Sequence, residues 1–357
     1  MKLFRRILLV AVLAGVLGIA VLGTTSTYYG GSEGRGCPRC HEIRPSADSW
    51  AGSTHREIEC QECHGSSFST DLRMHLKNAS RVWLHSRGKV PEQIRLRHGD
   101  MPGIVARCAR CHAQEFADWR SGPHAVTYAE IFLDETHNRK RQLVDDCLRC
   151  HGMHFEGGID RLVEPLGGEG PWRLLESSLA EQPAIPCLSC HGVHRPGEPL
   201  GSRAERGDVA GPNQPVLPAS VALYDRRSLD HVAGARLTLP TMIDGEQQVR
   251  TSPDRRQVLC YQCHAPRASG QVFSGDDRTP TGVHEGLSCN VCHEKHGQQT
   301  RASCAGCHPR LSNCGLDVET MDTSFRTTDS GHDVHRVACR DCHPEGVPRP
   351  GAGGRAG

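Results

Sequence analysis

The sequence predicts a mainly α-helical protein with extensive loops and little regular structure, organised around covalently attached groups in place of a conventional core. Three observations predict it. Nine Cys-x-x-Cys-His segments run through the 357 residues and take up 18 of the 19 cysteines. Hydrophobic residues make up 37% of the chain and aromatic residues only 4%, so side chains alone can bury little. Glycine (39) and proline (22) are abundant, which favours turns and loops over long elements.

The nine segments are Cys37, Cys40 and His41; Cys60, Cys63 and His64; Cys108, Cys111 and His112; Cys147, Cys150 and His151; Cys187, Cys190 and His191; Cys260, Cys263 and His264; Cys289, Cys292 and His293; Cys304, Cys307 and His308; and Cys339, Cys342 and His343. The chain's own Cys and His frequencies predict roughly 0.06 such segments by chance. Two cysteines three positions apart lie about one helical turn from each other. Both sulfurs can then form thioethers with the two vinyl groups on one edge of a porphyrin, and the next residue, His, is held beneath the iron as its proximal ligand. A zinc ribbon needs pairs of pairs closing a tetrahedral site, and a disulfide scaffold needs no histidines. Neither places a His directly after every second cysteine. The expected cofactor is therefore nine covalently bound haem c groups, each with its iron.

Burial of these large apolar plates is expected to offset the conformational entropy that so few aliphatic side chains cannot, so the haem-free chain should be unfolded. Lys plus Arg number 42 against 41 Asp plus Glu, with no basic run, which excludes nucleic acid as a partner. Haem propionates will make the loaded protein more acidic than its sequence pI of 7.6, which suits basic docking partners. At the N-terminus, Lys2, Arg5 and Arg6 precede an apolar or Gly run from Ile7 to Gly23, then a polar stretch from Thr24 to Thr27 and a Tyr28-Tyr29 pair. This pattern is an export signal with its positive flank inside. It lacks a clear Ala-x-Ala cleavage site, so an uncleaved signal-anchor is favoured over a cleaved signal. Either way the cysteine-rich part lies outside the cytoplasm, on the periplasmic side of the membrane. No cysteine near the end of the run offers an acceptor for a lipid anchor.

The interval from His191 to Cys260 is the longest between segments. It divides the chain into a signal-anchor and linker (1–36), a five-haem region (37–200), a linker (201–220), a four-haem region (221–343) and a disordered Gly/Pro-rich tail (344–357). Within the interval the pattern suggests a helix over Val221 to Ala235 and strands near Arg236 to Leu239 and Gln248 to Arg250. Short helices should carry the segments. Nine irons sharing a globule of this size would average roughly 19 Å apart, close enough for neighbouring macrocycles nearly to touch.

Thirteen histidines remain to serve as sixth ligands. His154, His194 and His296 each lie three residues after a segment His, on the same side of a helix. Such a residue cannot reach the far face of its own haem, so it would ligate a neighbour's. His55 and His284 lie five residues before a segment, and His98 and His137 lie ten before one. His124, in Trp119-Arg-Ser-Gly-Pro-His, echoes His55, in Trp50-Ala-Gly-Ser-Thr-His. Of His332 and His335, both before Cys339, one suffices, and His332 joins the other eight as a distal candidate. His75, His85 and His231 are weaker candidates. Cys314 is the odd thiol, read as buried and unreactive in preference to a soft ligand.

The Trp-led histidines, the Cys-His-Gly-x-His runs at Cys150 to His154 and Cys190 to His194, and the export anchor resemble the multihaem cytochrome c superfamily. Over residues 37–343 the grammar is similar to the branch holding the tetrahaem electron acceptor of hydroxylamine oxidation, pentahaem nitrite reductase and octahaem hydroxylamine oxidoreductase. The N-terminus is similar to membrane-anchored quinol dehydrogenases of periplasmic nitrate and nitrite reductase systems. The resemblance implies bis-histidine haems in stacked and perpendicular pairs. This chain departs from the nitrite reductases, which use Lys at the catalytic haem, because all nine segments end in His. It departs from the hydroxylamine enzymes because neither Tyr224 nor Tyr261 matches their cross-linked tyrosine. Some quinol dehydrogenases carry a Met at the first haem, where this chain has Glu42, Ile43 and Arg44 after His41.

Bis-histidine iron has no open position, so it carries electrons and does not bind substrate. The expected function is electron transfer between redox partner proteins, with no catalytic residue assigned and the quinol pool as a further candidate partner. The alternative is an oxidoreductase with one open haem acting on a small nitrogen or sulfur compound, or a quinol-oxidising site at the first haem. Tyr224 to Cys263, with Arg226, Arg227, Asp230 and His231, is the haem-free stretch that could build a pocket, although a packing insert is the preferred reading.

Overall fold

The computed structural model describes residues 2–31, 36–65, 76–77, 80–89, 96, 98–195, 217, 220–239, 241–244, 246–265, 278–297, 304, 307–308, 333–342 and 345–346. His75, His332, His343 and Cys314, the linker from 201 to 216 and most of the C-terminal tail lie outside them. The helices include α1 (Lys2–Gly31), α2 (Arg44–Ala51), α3 (Cys60–His64), α4 (Met101–Cys108), α5 (Ala113–Ser121), α6 (Tyr128–Phe132), α7 (Glu135–Lys140), α8 (Cys260–His264), α9 (Cys289–Cys292) and α10 (Cys339–Cys342), with a further helical stretch at 80–86, joined by loops and single 3-10 turns. Among the described residues there are also three two-stranded antiparallel hairpins.

Helix α1 has no proline and almost no charge beyond its first turn, so nothing interrupts it. Its stretch Leu3–Thr24, of mean hydropathy 2.7, is long and apolar enough to cross a membrane, and none of it is buried against the rest of the chain. It fits a signal-anchor or a signal peptide.

Short turns carry the cysteine segments, as their spacing predicts. Segments two, six, seven and nine open helices (α3, α8, α9, α10), segment three begins at the end of α4, and segments one, four and five use 3-10 turns. A recurring backbone bond closes the turn: the N–H of the segment His donates to the carbonyl of its first cysteine, at 2.9 Å for His112 and His151, 3.0 Å for His191, 2.8 Å for His293 and 2.6 Å for His308. That bond puts the His one turn beyond the first sulfur, where a ring tethered by both cysteines would present its iron.

Side chains do build cores of their own, the most extensive of them around segment four, with smaller clusters at Met101, Ile104 and Leu188 and at Met242, Tyr261 and Ala265. Tyr128, Phe132, Leu143, Leu148, Phe155, Leu162, Trp172 and Leu179 pack together around segment four. The apolar residues that are scarce over the whole chain are concentrated here. Helix α6 begins with a capping box in which Thr127 and Glu130 satisfy each other's backbone donors, and hairpin β1 (Val163–Glu164) with β2 (Arg173–Leu174) covers the core.

The stretch expected to be a helix over Val221 to Ala235 is instead a hairpin, β3 (Ala222–Asp225) with β4 (Asp230–Ala233). The reason lies in its turn. The Asp225 carboxylate accepts from Arg227 N–H at 3.0 Å and from the Ser228 hydroxyl at 2.9 Å, and Leu229 takes the left-handed φ of 56° that a helix cannot use. The hairpin is sewn to segment five: Ala222 N–H donates to Cys190 O at 3.0 Å and Gly192 N–H to Ser220 O at 2.8 Å. Strand β6 (Gln247–Val249), paired with β5 (Met242–Asp244), overlaps the expected Gln248 to Arg250 strand. Arg236 to Leu239 is not a strand. A 3-10 turn ends at Arg236, and the carbonyls of Ala235 and Leu237 accept from Arg255.

Near the C-terminal segments the backbone of 281–283 pairs with 335–337, Thr281 N–H donating to His335 O at 2.7 Å and Val283 N–H to Val337 O at 3.0 Å. Gly282 sits between them at φ +65°, and a Cβ there would collide with the Val337 carbonyl. Gly282→Ala should destabilise the holoprotein by about 2–4 kcal/mol, read as a lowered Tm with earlier proteolysis between residues 278 and 337. An unchanged Tm would show that this pairing does not hold the two segments.

Candidate haem-binding sites

The structure brings seven segment histidines opposite a histidine from elsewhere in the chain. Ring centroids are 5.3 Å apart for His41 with His85, 6.2 Å for His112 with His55, 6.0 Å for His64 with His194 and 6.2 Å for His264 with His124. They are 6.0 Å apart for His191 with His296, 6.3 Å for His308 with His284 and 6.0 Å for His293 with His335. An imidazole–metal bond of about 2 Å and about 1.1 Å from nitrogen to ring centre put two trans imidazoles about 6.2 Å apart across one metal. Six of the seven pairs match that span to within a few tenths of an ångström, so the residues present fit a six-coordinate haem iron.

Local structure explains how several of these rings are aimed. The Trp50 indole N–H, at the end of α2, is shared between the carbonyls of His55 at 2.9 Å and Ile58 at 3.0 Å, which pins the turn carrying His55. At the end of α5 the buried Trp119 donates to Ile185 O at 3.2 Å and anchors the turn to His124. His284 Nδ1 lies 2.9 Å from Val334 O. A carbonyl only accepts, so Nδ1 carries the hydrogen and Nε2 keeps its lone pair for a metal. Burial pushes His191 and His194 down to about 4, so both rings are neutral at neutral pH, the ligating form.

The first pair differs from the rest. Glu42, immediately after His41, places Oε1 3.2 Å from His41 Nε2 and 3.2 Å from His85 Nδ1, and this pair is also the closest in centroid distance.

Of the nine distal candidates, His55, His124, His194, His284 and His296 stand opposite a segment His. His194 and His296 face the histidines of segments two and five, so a His three residues after its own segment does reach a neighbour. His137 is near enough to His151 to act on it electrostatically, but among the described residues no second imidazole stands about 6 Å from His151. His98 instead packs on Phe155 at 5.5 Å and lies 3.4 Å from Glu176. His154 is deeply buried and stacked on Tyr224 at 4.0 Å, because the β3–β4 hairpin lays its tyrosine against the ring. His332 lies outside the described residues.

Two facing histidines stand outside the nine distal candidates: His85, expected only as a weaker candidate, and His335, the alternative to His332. His85 belongs to no repeated spacing and follows no segment, so only the fold could reveal it. His335 was set aside in favour of His332, although Asp333, which accepts from its N–H at 3.0 Å, forms a local turn legible as Asp-x-His.

The cysteines mark where thioethers would attach, and all 17 whose side chains are described are free. Thiols of different segments lie near enough to shift one another's ionisation: Cys37 with Cys60, Cys108 with Cys187, Cys150 with Cys263 and Cys260 with Cys289. Cys63 also senses Cys108, and Cys260 senses Cys190. The cysteines of these segments therefore lie near one another, one with two, three with five, four with six and six with seven. A cavity of about 530 Å³ lies between the β3–β4 hairpin and segment four, with Arg149, His154, Tyr224 and Arg226 in its wall.

Segments six and seven are locked by a polar network. The Ser288 hydroxyl, which caps α9, donates to Asp254 at 2.7 Å, and Gln257 accepts from Cys289 N–H at 2.9 Å. Partial burial acts to raise the Asp254 carboxyl, but hydrogen bonds from Arg256 and Ser288 outweigh it and hold the group at about 2. A depressed folded value stabilises the fold above the ordinary value of 3.8, and the contribution is lost as pH falls through about 2. Asp254→Asn should cost about 1 kcal/mol at pH 7 after solvent screening. Its Tm deficit should shrink as pH is lowered from 4 to 2, whereas a constant deficit would remove the carboxylate from this role.

Residues 107–192 and 232–294, which contain segments three to seven, match the family model of cytochrome c554 and c-prime. The matched residues make up less than half of the chain. No curated protein and no solved structure matches the chain. With the facing imidazoles and adjoining cysteines, the match supports placing this chain among the multihaem c-type cytochromes, which carry covalently bound haem c and transfer electrons.

Proposed function

We propose that this chain is a membrane-anchored nonahaem c-type cytochrome that moves electrons through closely spaced, mostly bis-histidine haems, from a membrane or periplasmic donor to an acceptor protein. The observation that carries the reading is the set of seven opposed imidazole pairs, each joining a segment His to one from elsewhere. When bound, haem c supplies an iron that cycles between ferrous and ferric states by one electron. The chain's own residues do the rest. Cysteines tether each ring, and the opposed imidazoles deny the metal an open position to substrate. The thiol contacts set an order running from segment one through two, three, five and six to seven, with four attached at six. Segments eight and nine join through His284, which precedes segment seven and faces His308, and through His335, which precedes segment nine and faces His293.

One observation favours a second reading at a single position. His151 has no imidazole at the six-coordinate span among the described residues, so the fourth segment is where an open iron would lie, and with it an enzymatic activity on a small nitrogen or sulfur compound.

His194→Ala and His296→Ala should each leave the haem count unchanged and convert one iron from low-spin to high-spin. His154→Ala should convert none. Electron paramagnetic resonance of the three oxidised variants reads this directly, and low-spin spectra from the first two would contradict the pairing.

A further inference from the structure

The cavity of about 530 Å³ between the β3–β4 hairpin and segment four has the size of a site for a small organic molecule. It is not where the cysteine segments seat a ring. Cys147 and Cys150, which would tether the haem of segment four, and His151, which would ligate its iron, are not in the wall, and among the described residues neither is any cysteine or histidine of another segment. Asp146 and Arg149, each next to one of the two tethering cysteines, do line it. The cavity thus adjoins the edge at which segment four would hold its haem.

The wall selects a class of molecule. Leu96, Met153, Phe155, Leu229 and the Tyr224 ring make much of it apolar and aromatic. Its charges cancel, because Arg149, Arg226 and Arg227 stand against Asp145, Asp146 and Glu156. Arg149 lies 3.2 Å from Asp146, Arg226 donates to the carbonyls of Phe155 and Gly157, and Asp145 accepts from Ile159 N–H at 2.6 Å. Arg227 and Glu156, opposite in sign, are exposed. An anion such as nitrite or sulfite meets no uncompensated cation here, so the wall suits a neutral aromatic molecule. Inside it, His154 is 6% exposed, Tyr224 stacks on it at 4.0 Å, and its Nε2 is buried without a hydrogen-bond partner. Burial holds this ring neutral, pushed down to about 3. A buried polar atom left unpaired is costly until something satisfies it. An aromatic hydroxyl both donates and accepts, so it satisfies Nε2 in either tautomer. Where irons are closed by two imidazoles, a donor must also reduce them through the ring edge without binding the metal, and a hydroquinone does so.

We propose that this cavity binds a hydroquinone and that segment four is where its electrons enter the haem chain. The ring lies among Met153, Phe155 and Tyr224, with one hydroxyl on His154 Nε2. Oxidation to the quinone breaks two O–H bonds and passes one electron to each of two ferric haems, that of segment four and, through it, that of segment six, whose Cys263 lies near Cys150. The two protons leave to water, which reaches the exposed Glu156 and Arg227 of the wall. This deepens the conduit reading by naming the class of its donor, places quinol oxidation at the fourth segment instead of the first, and rests on haem attachment at Cys147 and Cys150.

The test uses the full-length holoprotein with menadiol as the reductant and menadione as its oxidised partner, both without air. Haem reduction followed by absorbance should saturate with menadiol, and isothermal titration of menadione into the ferric protein should show one site per chain. Met153→Trp, which narrows the cavity, should abolish saturation. His154→Ala should weaken menadione binding about tenfold while the haem count and the electron paramagnetic resonance spectrum stay as in the wild type. If Met153→Trp does not fold, His154→Ala decides alone. A wild-type rate that rises linearly with menadiol, or menadione binding that is unchanged in His154→Ala, overturns the site and leaves the conduit standing. Mass spectrometry of the peptide holding Cys147 and Cys150 separates the two readings: a peptide without haem overturns the conduit at segment four, and this inference with it.

Discussion

Everything in this molecule depends on two imidazoles meeting across a gap the width of one metal. Each of the seven pairs joins residues remote in sequence, His64 to His194 and His124 to His264 being the most distant. In the proposed account each pair is a crosslink through the group held between its rings, which would make the fold and the redox centres one structure. Two pairs, His124 with His264 and His191 with His296, join the parts of the chain on either side of the long 191–260 interval.

The rest of the architecture serves that geometry. Tryptophans at helix ends spend their N–H groups on carbonyls and thereby stiffen the turns that present His55 and His124. A carbonyl on His284 selects the tautomer, and burial keeps His191 and His194 neutral. The side-chain core around Tyr128, Phe132 and Leu162 is small, and it lies beside segment four, where no opposed imidazole stands at the usual span among the described residues. Packing by residues is thus concentrated where crosslinking through a metal is least evident.

The cysteine segments and the helical turns that carry them were legible because their chemistry is local: spacing along the chain decides it. His194 and His296, each three residues after a segment His, do face the histidines of other segments, but the helix expected to carry them is absent: the segment turns end at Ser189 and Cys292, and 191–194 and 293–296 run through bends without helix. His154 shares that spacing but packs on Tyr224, on a hairpin about seventy residues away, and nothing near it in sequence announces this. The hairpin itself was misread as a helix because its apolar residues fit both periods and the decisive turn at Asp225 to Leu229 was not weighed. His85 lacked any local signature, and only the fold brings it to His41.

The most direct test of the bis-histidine conduit is a haem count by pyridine haemochrome combined with low-temperature electron paramagnetic resonance of the purified, fully oxidised protein. The account predicts nine haems per chain, with low-spin ferric signals accounting for all of them, or for all but the one at segment four. Fewer haems, or high-spin iron at several positions, would contradict it.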